Sequence, residues 1–235
     1  MVNGKSLLTW ATASPDMRPS IFTPILVVLL LCAQGGVLAQ SSEEGAAKPD
    51  AERGRQAYVM CATCHGARGE GMPSVGAPAL GGQLPDYIVR QLREFRGDRR
   101  GAHVDDVEGN RMRMLSKSIP DEALVADVAA HIATLPAAAS DRAVRGVVAA
   151  GRKLYQAQCS ACHGPAAEGL AALNAPRLAG LGDNYLLTQL RHYRDGYRTG
   201  DGEPERLMVE RIRATLGKER SMRDLVAYLG SLGGR

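Results

Sequence analysis

The sequence predicts an all-α protein built from one helical unit written twice. Three observations carry this. Residues recur at an offset of 98 along the chain, from Cys61-Ala-Thr-Cys-His-Gly66 to Cys159-Ser-Ala-Cys-His-Gly164 and through Gly71/Gly169, Ala77-Pro78/Ala175-Pro176 and Leu80/Leu178. Apolar residues inside each copy fall at i, i+4 and i+7, the period of a half-buried helix, and no strand-rich alternation is present. Aromatics make up only 4% of 235 residues: seven Tyr, two Phe and one Trp. Such a chain must fill its cores with aliphatic residues or with something other than side chains.

Composition limits the remaining classes. The hydrophobic content of 45% and the lack of low-complexity runs exclude collagen, coiled-coil and disordered chains. The length suits one large or two small domains. A repeat of this length means two similar domains and not a solenoid, whose units are shorter. The join is the small, polar, Pro-containing stretch Pro136 to Asp141. The expected division is residues 40–138 and 139–235.

Ahead of the repeat lies an address. Ile21 to Ala33 reads IFTPILVVLLLCA, with Arg18 before it and Val37-Leu38-Ala39 behind it. The apolar run is short for a membrane span and right for the core of a signal peptide. Residues 1–39 are therefore expected to be a cleaved signal, with Met17 a second candidate start and an uncleaved anchor the alternative. The expected location is the periplasm, with membrane contact only through partners or through an uncleaved N-terminus. The only Trp (Trp10) and one of the two Phe (Phe22) lie in this stretch.

Each copy then reads as three helical parts. A first helix runs into the Cys pair. A Gly/Pro-rich loop follows, Gly66 to Pro85 and Gly164 to Asp183. A middle helix carries Ile88, Leu92 and Phe95, or Leu186, Leu190 and Tyr193. A last helix starts near Pro120-Asp121, with Pro in its first turn, and carries Leu124, Val128, Ile132 and Leu135. Its counterpart carries Leu225, Tyr228, Leu229 and Leu232. Gly54 and Gly151 either let a last helix approach the first closely or merely start the first helix.

With Cys32 in the signal, four cysteines remain: Cys61, Cys64, Cys159 and Cys162. Each pair is C-x-x-C followed at once by His65 or His163. This is the attachment signature of c-type haem. Thiols at i and i+3 share one helix face, and the imidazole at i+4 lies beside them. One turn thus supplies two covalent links to the porphyrin edge and one iron ligand. Zinc ribbons place their pairs about 15–20 residues apart, far closer than here. A thioredoxin-like motif wants one pair in a βαβ context. A disulfide framework leaves the two adjacent histidines unexplained.

A ligand on the other haem face raises the potential when it is Met. Met112 and Met208 lie seven and eight residues before Ile119 and Leu216, in what reads as a loop ahead of the last helix. Met114 is the near alternative to Met112. Met222 sits inside the last helix, where Met usually fills core. Met60 and Met72 read as packing. His103, His131 and His192 do not recur at the offset and read as exposed or packed. Pro78 and Pro176 occupy matching places from which a carbonyl would accept from a proximal His. Tyr87, Gln91, Arg100 and their counterparts Tyr185, Gln189 and Arg198 are polar positions kept by both halves. They suit haem propionates, the domain interface or exposed helix faces.

Taken together, CATCHG, CSACHG, APALGGQLPDYIVRQLREFRGDRRG, APRLAGLGDNYLLTQLRHYRDGYRTG and the two last helices resemble the dihaem cytochrome c4 family. The likeness covers nearly all of Ala51 to Leu232. It implies two tandem cytochrome c-like domains, each wrapped round a covalent haem c. It also implies His/Met ligation in both and single-electron carriage in the periplasm, from a respiratory donor to a terminal oxidase. His131 departs from the Tyr usual at its place, which Tyr228 keeps, and Leu181 replaces the Gln that Gln83 retains. The alternative functions are an electron-transfer subunit of a periplasmic dehydrogenase or oxidase, and a dihaem peroxidase. No catalysis of the chain's own is expected.

Charge divides unevenly. Residues 40–135 carry 12 bases against 14 acids, and residues 136–235 carry 15 against 10. The halves stand at −2 and +5, an asymmetry that would orient docking with redox partners. No basic cluster with interleaved aromatics points to nucleic acid.

Overall fold

A computed structural model describes residues 48–199 and 202–233. The expected signal peptide, residues 1–39, lies outside them. Nine α-helices and two short 3-10 turns make up the regular structure of the described residues. No helix among them is long and apolar enough to cross a membrane.

Helix α1 (Ala51–His65) begins where Asp50 accepts from the N–H groups of Glu52 and Arg53 at 2.9 and 3.1 Å. It ends at Gly66, whose φ of 80° favours glycine. Helices α2 (Pro85–Arg96), α3 (Val107–Ser116) and α4 (Glu122–Ile132) complete the first half. Asp106 caps α3 and Asp121 caps α4. Pro120 therefore stands just outside the last helix and not in its first turn as expected. Its neighbour Asp121 is the better cap, because its carboxylate accepts from Leu124 N–H at 2.8 Å.

The second half repeats the order with α5 (Val148–Gln158), α6 (Ser160–His163), α7 (Asp183–Asp195), α8 (Glu203–Thr215) and α9 (Glu219–Leu232). Here the first helix breaks at Cys159, with φ −123° and ψ −35°, so the second Cys pair straddles two helical pieces.

Both first helices pack on their last helices, α1 on α4 and α5 on α9. Glycine makes this possible. A Cβ at Gly54 would collide with the carbonyl oxygen of Asp127, and one at Gly151 with that of Asp224. Of the two readings of these glycines, close approach is the one observed. The contact is then pinned the same way twice. Asp127 accepts from Asp50 N–H, and Asp224 from Val147 N–H, each at 2.7 Å.

The two methionines placed in a loop by sequence lie on helices instead, Met112 on α3 and Met208 on α8. Capping by Asp106 in the first case, and Pro near the start of α8 in the second, turn those stretches helical. Met222 is fully buried in the second core, as expected of a core filler. Met60 is 46% exposed and lies at the rim of a cavity, so it does not pack as expected.

Candidate functional site

The first Cys pair sits on the last turn of α1, and the next residue, His65, is buried. Its Nδ1 donates to the carbonyl of Pro78 at 2.8 Å, which fixes the tautomer and leaves Nε2 as the ring's free base. Burial lowers the pKa of His65, only partly opposed by that hydrogen bond, so the ring is a neutral donor. In the second half His163 Nδ1 donates to Pro176 at 3.0 Å. Both Pro carbonyls thus occupy the place expected of them.

Two tyrosines fix the turn behind each histidine. Tyr58 OH donates to the carbonyl of Gly66 at 3.0 Å, and Tyr155 OH to that of Gly164 at 2.5 Å. Glu70 and Glu168 close the same turns, accepting from Arg68 N–H and Ala166 N–H at 2.8 Å each. Sequence reasoning assigned no role to these four. Their signal was in the repeat itself: Glu70 and Glu168 stand at offset 98.

Cys61, Cys64 and His65 open onto a cavity of about 670 Å³ whose walls are mainly apolar. Ile88, Phe95, Val128 and Ile132 line it, with Met112 and Met114 from α3. Met112 is half-buried, while Met114 is 60% exposed. Met208 is partly buried against the second core. Burial pushes the Cys61 thiol up and the Cys159 thiol up to about 11, so free thiols here stay protonated. Among the described residues no three His, Cys, Asp or Glu side chains converge to hold a metal ion by themselves.

The residues fit a porphyrin. A hollow of this volume, apolar and flanked by two thiols one helical turn apart and by one neutral imidazole, matches a large flat apolar ligand held at its edge. It does not match a polar substrate.

The polar positions shared by both halves meet at the domain interface. Arg100 Nη2 donates to Tyr185 OH at 2.9 Å and to Gln189 Oε1 at 3.0 Å. Arg198 Nη2 donates to Tyr87 OH at 3.2 Å and to Gln91 Oε1 at 2.9 Å. Each guanidinium also reaches the Gln of the opposite pair, Arg100 to Gln91 and Arg198 to Gln189. Both are buried. Burial alone would raise the Tyr87 phenol, yet Arg198 and Arg100 hold it below its usual value. Arg100 lines the cavity, and Arg198 reaches its walls through Tyr87, Gln91 and Gln189.

The non-repeating histidines also pack, as expected. His192 is buried at 3.5 Å from Asp106, His103 stacks on Tyr197 at 4.0 Å, and His131 packs on Tyr58 at 5.0 Å.

A buried imidazole following C-x-x-C, twice over in an all-α chain, defines a dihaem c-type cytochrome. The family model described as cytochrome c matches residues 51–136 and again 148–233. A cytochrome c4 of Pseudomonas aeruginosa is 30% identical over 178 residues, 72% of this chain and 83% of its own. The thiosulfate dehydrogenase electron acceptor of Stutzerimonas stutzeri is 36% identical over 187 residues, 75% of this chain and 81% of its own. Among solved structures, reduced cytochrome c4 from Pseudomonas stutzeri is similar at TM-score 0.61 and 25% identity, covering 80% of this chain and 100% of that one. A thiosulfate dehydrogenase from Marichromatium purpuratum is similar at TM-score 0.65 and 31% identity. The match covers 77% of this chain but only 40% of that enzyme's chain.

The chain belongs to the dihaem cytochrome c4 family. It carries two covalent haem c groups and transfers electrons. When bound, each haem supplies one-electron Fe(II)/Fe(III) chemistry.

Proposed function

We propose that Cys61 and Cys64 hold the first haem, and Cys159 and Cys162 the second. His65 and His163 ligate iron on one face, Met112 and Met208 on the other. The protein passes single electrons in the periplasm, from a respiratory-chain donor toward a terminal oxidase, and has no substrate reaction of its own. Residues 1–39 form the cleaved export signal, and the domains divide between 138 and 139.

The observation that carries this reading is the geometry of His65. It is buried, neutral and locked by Pro78 beside two thiols at the wall of an apolar cavity. Met112 is preferred to Met114 because it lines the same cavity with less of its side chain in water. The chain's own work is to exclude water from that cavity, hold Nε2 toward it and place the Arg100 and Arg198 cations nearby, where propionate carboxylates would be stabilised.

The likeness to the thiosulfate dehydrogenase electron acceptor favours a second reading, in which the donor is a periplasmic dehydrogenase. The test is a mass measurement with a redox titration of the purified exported protein. Two haem additions, two one-electron steps, a methionine–iron absorption band for each haem and no reaction with peroxide are expected. A missing methionine band together with rapid peroxide turnover would make the protein a peroxidase instead.

A further inference from the structure

The loops that follow the two C-x-x-C-H segments meet across the domain interface. Each supplies the carbonyl that accepts from its own histidine, Pro78 for His65 and Pro176 for His163. The N–H of the same peptide group belongs to the next residue, Ala79 or Arg177. Both of these N–H groups donate to the other domain. Ala79 N–H reaches the main-chain carbonyl of Leu181 at 3.3 Å. Arg177 N–H reaches Gln83 Oε1 at 2.9 Å. The Gln83 side chain, 4% exposed, also donates from Nε2 to the Arg177 carbonyl at 3.0 Å.

The two links are unequal. Gln83 and Leu181 stand at offset 98, and leucine has no side-chain acceptor. The peptide behind His65 is held by one long backbone bond. The peptide behind His163 is held by a shorter bond from a side chain that grips Arg177 at both its N–H and its carbonyl.

Hydrogen bonds at the two ends of one peptide group polarise each other. An acceptor on the Arg177 N–H makes the Pro176 carbonyl a stronger acceptor. A stronger acceptor at Nδ1 makes the imidazole a more basic ligand, and a more basic ligand favours the ferric over the ferrous state.

We propose that Gln83 of the first domain is a positioning residue for His163 of the second, acting through the Pro176–Arg177 peptide to lower the reduction potential of the second haem. The proposal rests on His163 being an iron ligand. It makes the potential of one haem depend on a side chain of the other domain, and it makes the two haems unequal although their attachment motifs are alike.

Gln83→Leu in the full holoprotein tests it, since leucine is already accommodated at the mirrored place. Gln83→Met, unbranched and close in length, serves if leucine impairs folding. In a redox titration the second haem's step is expected to move to higher potential by about tenfold in its reduction equilibrium, 59 mV for one electron. Gln83 also lines the first half's cavity, so the first haem's step is expected to move, but by less than the second's. In the reduced protein the His163 Nδ1 proton resonance moves as its hydrogen bond weakens, while that of His65 does not. Leu181→Gln offers Ala79 the mirrored acceptor and is expected to lower the first haem's potential. Unchanged steps in both Gln83 variants, or equal shifts of both haems, overturn the proposal. A His163→Gly variant whose second haem keeps its wild-type spectrum overturns the ligand reading instead.

Discussion

The two halves share a plan but differ in what fills them. Among the described residues, the first half has a continuous buried apolar cluster of only five residues, Tyr58, Ile88, Val128, Ala129 and Ile132. The second has 17, with Tyr155, Met222 and Val226 at its centre. The cavity beside His65 is walled mainly by the first half, with Leu181, Tyr185 and Gln189 of the second at its edge. Caps differ in the opposite sense: Asp50, Asp106 and Asp121 cap helices of the first half, whereas among the described residues no helix of the second has a side-chain cap. The first half makes more use of side-chain caps and the second of one contiguous apolar cluster. A repeat therefore fixes helix order without fixing how each copy is stabilised.

Removing each haem in turn should give the largest effect. Cys61→Ser with Cys64→Ser, or Cys159→Ser with Cys162→Ser, each removes one haem by mass. Circular dichroism should show the greater loss of helix in the first case, because its contiguous apolar cluster is the smaller of the two. Equal losses would mean that the difference in cores carries no weight.

Next in size is Met222→Ala. Truncating this fully buried side chain should cost about 2–5 kcal/mol in denaturant melts while leaving the methionine–iron band intact. Met112→Ala and Met208→Ala should each abolish the band of one haem, and Met114→Ala neither. Gly54→Ala and Gly151→Ala should each cost about 1–3 kcal/mol by forcing α1 from α4 and α5 from α9. These two should match, since the crossing is the part of the plan that the halves share most closely. Asp121→Ala should cost about 1 kcal/mol in the first half alone.

The smallest effect concerns acid. Asp127 accepts from the Arg53 side chain, which holds its carboxyl below the usual value near 3.8 despite its burial. Its counterpart Asp224 accepts from the Val147 N–H, and Ala150 stands where the repeat would place the Arg. A depressed carboxyl contributes stability that is present above the unfolded value and lost as pH falls through the folded one. Arg53→Ala should therefore lower first-domain stability slightly at pH 6. The difference should shrink as pH falls through the depressed value of Asp127 and vanish once that carboxyl is protonated in both proteins. A difference that persists at low pH would assign Arg53 to packing.

Much of this was legible in the chain. The Cys and His spacing, the first, middle and last helices of each copy and the carbonyls of Pro78 and Pro176 follow from local chemistry repeated at a fixed offset. Met112 and Met208 were found as candidates, but their helices were missed. Asp106 reads as a cap only once α3 is known to begin there, and α8 has no capping side chain to announce it. The break at Cys159 has no sequence signal, since CATCH and CSACH are nearly the same peptide. The role of the Tyr, Gln and Arg set stayed open because propionate, interface and solvent all suit a polar side chain at helix spacing.

What the sequence by itself determined is the local apparatus: two C-x-x-C-H turns, the helices leading into them, and the glycines and prolines that shape the turns. These depend on residues a few positions apart. The tertiary structure decided what lies opposite each residue. It set Arg100 and Arg198 into each other's domains, placed Asp127 and Asp224 against Gly54 and Gly151, and laid Gln83 on the peptide behind His163. Such contacts join residues about 70–110 positions apart, and no local pattern encodes them, because either half could fold its own turns without the other.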